Sequence, residues 1–325
     1  MDSERPINVS VLDPVTLAID RTKLILFNPF ELSKWLVIGF CAFLATLGTG
    51  KSGPRFNYNT GNRGGGSQDF HQFISNAKEF TINNLGWIIP LGIFIILFFI
   101  ALALLLVWLS SRGRFMLLHC VAENKAEVKI PWAKFREHAN SLFLFRIVLG
   151  LIGFVVILVP VIFIAILIFG SISAGSPQIG ALFGIIAIGL CVFVISICFG
   201  IVTKFTTDFV VPIMFLRTIS VRAAWHEFLS VLSLNKGRFL LYLLFHLVIG
   251  LVIMTIVMIG VCCTCCCLAC VMAIPYVGSV IFLPIFVFQR SYSLYYFKQY
   301  GSQFDVFEPV QVEENPQPQL PEDPF

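Results

Sequence analysis

Residues 87–109 read WIIPLGIFIILFFIALALLLVWL, 23 positions without one charged side chain. A helix of that length covers about 35 Å, and the hydrocarbon core of a bilayer is about 30 Å thick. In that medium each backbone donor and acceptor must be satisfied inside the segment, so a single run of this kind is held as a helix. Comparable runs lie at about 30–48, 142–169, 179–203, 239–261 and 268–289. The first is weakly apolar at its start, where Glu31 and Lys34 must snorkel or pair at i,i+3. The last two form one apolar stretch, with their turn placed at Gly260 and the start of a cysteine run. The pattern predicts an all-α integral membrane protein with six transmembrane helices. Composition agrees: 58% of the 325 residues are hydrophobic and 12% are charged, where a soluble domain has about 25% charged. The first 23 residues are polar or mixed and no cleavage site follows, so no secretory signal peptide is expected.

The basic residues orient the chain. Eighteen of the 22 Lys and Arg fall in 1–34, 110–146, 204–238 and the C-terminal part, and the other four lie in 49–86. Under the positive-inside rule both termini are cytoplasmic. The loop 49–86 is then the large outer segment, with an interfacial helix expected over 69–80. Residues 1–301 form the membrane domain, and 302–325 are expected to be a disordered, acidic, Pro-rich cytoplasmic tail.

The six spans divide into three pseudo-repeats of interfacial helix, span, span. Before the odd spans come DPVTLAIDRTKLILF (13–27), PWAKFREHANSLF (131–143) and SVRAAWHEFLSVL (220–232). Each has an apolar stripe and a charged face. Asp13 is expected as the first N-cap, with Pro14 at N1. A W-x-x-F pair recurs at Trp132/Phe135 and Trp225/Phe228, and these four are expected as interfacial anchors. The even spans exit through SSRGRFMLLH (110–119), TKFTTDFVVPIMFLR (203–217) and FQRSYSLYYFKQYG (288–301). Each exit carries charge: Arg112 and Arg114, then Asp208, with Lys204 one turn earlier as its partner, then Arg290. Repeats related by an axis along the membrane normal would bring these exits together.

RGRFMLLHCV (112–121), PWAKFREHANSLFLFR (131–146) and DFVVPIMFLR (208–217) resemble uncharacterised bacterial six-helix membrane families. Those families include the membrane domain fused to some glycerophosphodiester phosphodiesterases, and the YciC-like proteins. The resemblance covers most of the chain in outline. It implies a fold and an address in the cell inner membrane; no phosphodiesterase domain is present, so it implies no activity.

No catalytic constellation stands out. ATLGTGKS (45–52) fits a permissive P-loop pattern, but follows an apolar span rather than a strand. VCCTCCCLACV (261–271) holds six of the ten cysteines, with three C-x-x-C spacings. No charged residue lies between Arg238 and Arg290 to activate a thiolate. The run reads as small packing residues, with a zinc site or an outer-face disulfide as the alternatives. His246 sits alone in span five and is expected to hydrogen-bond a neighbouring helix, and Gly180/Gly184 in span four to pack closely on another. No cofactor, metal or nucleic-acid partner is expected. Arg112, Arg114, Asp208 and Arg290 are the expected contacts for a phospholipid head group, against a plainer reading as membrane anchors plus a Lys204–Asp208 pair. The function read from this is a non-enzymatic, lipid-interacting scaffold or envelope-homeostasis component. The alternative is a transporter of a small or lipidic solute, with its path between the repeats. A homo-oligomer or another membrane protein as partner stays open.

Overall fold

The computed structural model describes residues 9–47, 85–173, 179–264, 274 and 276–307. Residues 49–84 of the expected outer loop, the helix expected at 69–80, the end of the tail, and Cys265–Cys270 lie outside the described residues. The described residues are helical and contain no strand. They form α1 (Asp13–Leu26), α2 (Leu32–Thr46), α3 (Leu85–Glu123), α4 (Lys129–Lys134), α5 (Arg136–Ser173) and α6 (Ile179–Phe205). A π turn (Thr206–Val210) joins α6 to α7 (Val211–Arg217); then come α8 (Val221–Leu234), α9 (Lys236–Cys263), α10 (Val277–Ile281) and α11 (Leu283–Lys298).

Among the described residues, four helical stretches are long and apolar enough to cross a membrane: Gly86–Glu123, Arg136–Gly170, Leu182–Arg217 and Lys236–Cys263. They correspond to the second to fifth expected spans. The first expected span is the 15-residue α2, shorter than the roughly 20 residues a crossing needs. Of the sixth, 268–273 lies outside the described residues, and the remainder holds the short α10 and the start of the 16-residue α11.

The long helices outrun the apolar runs that announced them. α3 continues from the expected end at 109 to Glu123, because RGRFMLLHCV turns inward instead of fraying into water. Phe115, Met116, Leu118, Cys120 and Val121 are all buried there. The main core gathers at this end of the bundle, with Phe209–Met214, Phe228, Phe239, Tyr242 and Tyr292–Phe297. The rest of the long helices carries outward-facing apolar side chains: Phe94, Phe163, Phe183 and Met254 are each more than half exposed. Membrane lipid is the medium in which such surface costs little.

The amphipathic helices pack on this core more than the sequence implied. α1 buries Ala18, Thr22, Ile25 and Leu26, one stripe at i, i+4, i+7 and i+8, and lies along α11. Its N-cap is Leu12 rather than Asp13, which is the first helical residue; just upstream, the Ser10 hydroxyl accepts the Leu12 and Asp13 N–H groups, each at 3.2 Å. Arg21 donates to the carbonyls of Val121 and Ala122, at 3.0 and 2.7 Å through Nη2, closing the C-terminal end of α3. Burial lowers the Arg21 guanidinium from its usual value, and nearby Tyr295 pulls it back up. The second amphipathic segment breaks at Phe135, so only α4 stands before the long α5. Phe135 and Phe228 are therefore not lipid anchors. Phe135 stacks between Phe115 and Phe215, with centroids 5.7 and 4.8 Å away, and Phe228 stacks on Phe209 at 5.2 Å. Trp132 and Trp225 are half-buried beside them.

Two other expectations change. Lys34 does not pair with Glu31; it donates to Asn124 Oδ1 at 2.9 Å. Nor does the packed domain stop at 301: Phe304 and Asp305 are buried, and Asp305 pairs with Lys298. An added Cβ at Gly184 would meet Leu167 Cδ1 at 3.2 Å, whereas Gly180 faces open space.

Candidate functional site

Lys204 and Asp208 sit one turn apart where α6 passes into the π turn. The carboxylate Oδ2 accepts from Lys204 Nζ at 2.8 Å and from the Tyr242 hydroxyl of α9, also at 2.8 Å. A π turn adds one residue to the helical repeat and re-aims the side chains beyond it. Here Thr207 presents both its hydroxyl and its carbonyl to neighbouring helices. Arg114 Nη1 from α3 donates to Thr207 Oγ1 at 2.7 Å, and Arg290 Nη1 from α11 donates to Thr207 O at 2.5 Å. Two guanidinium groups thus share one uncharged residue. Neither has an ion-pair partner within 4.0 Å among the described residues, because the one carboxylate nearby is taken by Lys204 and Tyr242.

These groups line a cavity of about 420 Å³. Its wall includes Arg114, Lys204, Thr207, Asp208 and Arg290, with Phe199, Leu117 and Phe286 as the apolar part. Gly200 and Thr203 on its rim are exposed. Three cations against one carboxylate leave an excess of two positive charges. Arg114 and Arg290 are 6% and 7% exposed, so their charge is held away from water. Within Arg290, Nε and Nη2 are buried and have no hydrogen-bond partner among the described residues. A buried, unmatched guanidinium edge is costly, and an anion with two acceptor oxygens would match it.

Three of the four expected contacts therefore meet: Arg114, Asp208 and Arg290. Arg112 does not join them. Its guanidinium carbon lies 4.3 Å from the Trp108 ring centroid and 4.6 Å from that of Trp132. The Trp of the second amphipathic segment thus clamps a buried Arg by cation–π contact, while its face toward lipid is secondary. Thr207, Tyr242 and Arg146 were not singled out by sequence. Arg146 Nη1 donates to Ser110 and Ser111, both at 3.1 Å, and to Val107 O at 3.3 Å, beside the cavity. The Tyr242–His246 pair, one helical turn apart with rings 6.0 Å apart, was the signal available in span five.

No group of three or more metal-ligating side chains occurs among the described residues. Cys262 and Cys263 are free and exposed. The described residues thus combine an apolar helical frame compatible with a membrane and a cationic cavity at one end of the bundle. A family of unknown function (DUF7544) matches residues 9–307, and the chain belongs to that family. No curated protein and no solved structure matches it.

Proposed function

We propose that this is a non-enzymatic, multi-pass protein of the cell inner membrane that holds an anionic phospholipid by its phosphate group and serves as a lipid-interacting scaffold or envelope-homeostasis component. One observation carries the reading. Arg290, whose Nε and Nη2 are buried without a hydrogen-bond partner among the described residues, lines a cavity that already contains Arg114 and Lys204. A phosphate diester supplies two anionic oxygens in the spacing a guanidinium edge accepts. The cavity lies at the end of the bundle where Arg114, Arg146, Lys204 and Arg290 gather, and the positive-inside rule puts such an end at the cytoplasmic leaflet, where anionic lipid is presented. On this reading α2 and the α10–α11 segment complete six spans with both termini cytoplasmic.

Addition of phosphatidylglycerol to detergent-solubilised protein is expected to raise the unfolding midpoint, as any ligand of the folded state does. Arg290→Gln keeps most of the side chain and removes the charge. It should weaken the midpoint's response about tenfold in lipid concentration, the effect of one charge-assisted pair. An undiminished response in Arg290→Gln would remove the phosphate site from the account. The topology is tested by fusing a reporter that works only in the cytoplasm after residue 325. Activity is expected, and an inactive, externally labelled fusion contradicts the orientation.

A further inference from the structure

A second cavity, of about 440 Å³, lies between α3, α5 and α6. Arg114, Phe199 and Thr203 line both it and the charged cavity, so the two spaces adjoin. Their chemistry differs. The second space runs along α5 past Gly150, Gly153 and Ile157, and among the α5 residues that line it Arg146 carries the charge. Phe154 on its edge is 63% exposed, on a helix long and apolar enough to cross a membrane. The crevice thus faces the bilayer side while its head touches the cationic cavity.

Small residues make it. At Gly153 an added Cβ would meet the Phe199 ring at 3.4 Å, so glycine lets that ring seat against α5. At Gly150 an added Cβ would meet nothing within 4 Å. The absence of a side chain there leaves a groove that the chain itself does not fill. Apolar voids next to lipid are occupied at little cost by methylene chains, which gain dispersion contacts along both walls.

We infer that the α3–α5–α6 crevice is the acyl-chain subsite of the same lipid whose phosphate sits at Arg114 and Arg290. The ligand class is a long-chain glycerophospholipid: its phosphate lies in the charged cavity and its acyl chains lie in the adjoining crevice. Free phosphate or a soluble phosphate ester would use only the charged side. The inference rests on the phosphate reading above and adds chain selectivity to it. Arg146, fixed by Ser110 and Ser111, stands in the crevice where the ester region of such a lipid would pass.

The test compares dioleoyl phosphatidylglycerol, dihexanoyl phosphatidylglycerol and inorganic phosphate on the full chain by native mass spectrometry. The variants are Gly150→Phe, Gly150→Leu and Arg290→Gln. The wild type is expected to retain the dioleoyl lipid at least tenfold better than the dihexanoyl one, and inorganic phosphate weakest. Gly150→Phe should lose most of that difference while binding the dihexanoyl lipid as the wild type does, which also certifies its fold. Gly150→Leu, a smaller plug, should fall between. If Arg290→Gln loses both lipids while neither Gly150 variant alters chain preference, the crevice is overturned and the phosphate site stands. Should inorganic phosphate bind as well as the dioleoyl lipid, the lipid class is overturned. If Arg290→Gln loses nothing, the phosphate reading falls and the crevice falls with it.

Discussion

Gly113→Ala is expected to destabilise the protein by about 3 kcal/mol, at the upper end of what overpacking a well-packed contact costs. Gly113 is where α3 crosses α2. A Cβ built there would stand 2.4 Å from the Ala45 nitrogen and 2.5 Å from the Leu44 carbonyl carbon. Both are backbone atoms, so no side-chain rotation relieves the clash and the helices must part. Ser110, on the same stretch of α3, donates to Ala45 O at 3.0 Å, and separation of the helices would lengthen that bond as well. The change is read as the midpoint of thermal unfolding in detergent. An alanine variant as stable as the wild type would contradict the close crossing. Gly150→Ala serves as the comparison, since its Cβ meets nothing and alanine favours a helix by about 1 kcal/mol over glycine.

The second large effect is expected at Asp208. Asp208→Ala removes the one carboxylate among three cations and leaves Lys204, Arg114 and Arg290 facing each other in a confined space. Breaking a buried ion pair from one side costs about 3–5 kcal/mol, and the lower figure applies because the Lys204 side chain keeps 23% of its exposure. The Tyr242 hydroxyl loses its acceptor at the same time. Removing Lys204 together with Asp208, as Lys204→Met/Asp208→Leu, should recover much of the loss, because the penalty lies in the unmatched charge. A double variant no better than Asp208→Ala would show that packing, not charge balance, sets the stability here.

Much of this was legible in the residues. Uncharged runs of more than 20 positions predicted the long α3, α5, α6 and α9, because backbone satisfaction in hydrocarbon leaves little choice of form. Arg114, Asp208 and Arg290 stood out as charges at the ends of apolar runs, and they do meet. Arg112 was grouped with Arg114 by sequence proximity. Residues two apart on a helix point to nearly opposite sides, so one of the pair had to face elsewhere. The W-x-x-F stripes were read as faces toward lipid because an amphipathic helix shows an apolar stripe whether its partner is a membrane or a protein core. Periodicity carries no information about which one it meets. Only the stacking of Phe135 on Phe215, and of Phe228 on Phe209, decides it. The π turn was hidden for a different reason. TTDFV has no sequence mark of an extra residue in the turn, yet that turn is what offers Thr207 to two arginines.

The central claim is that Arg290 and Arg114 hold a lipid phosphate. Its most direct test is a native mass spectrum of the protein extracted gently from its own membrane with no lipid added. Wild type should carry a phospholipid mass. Arg290→Gln should lose it, and Arg112→Gln, whose side chain sits between Trp108 and Trp132 outside the cavity, should keep it. A bare wild-type protein, or a lipid retained equally by all three, would contradict the account.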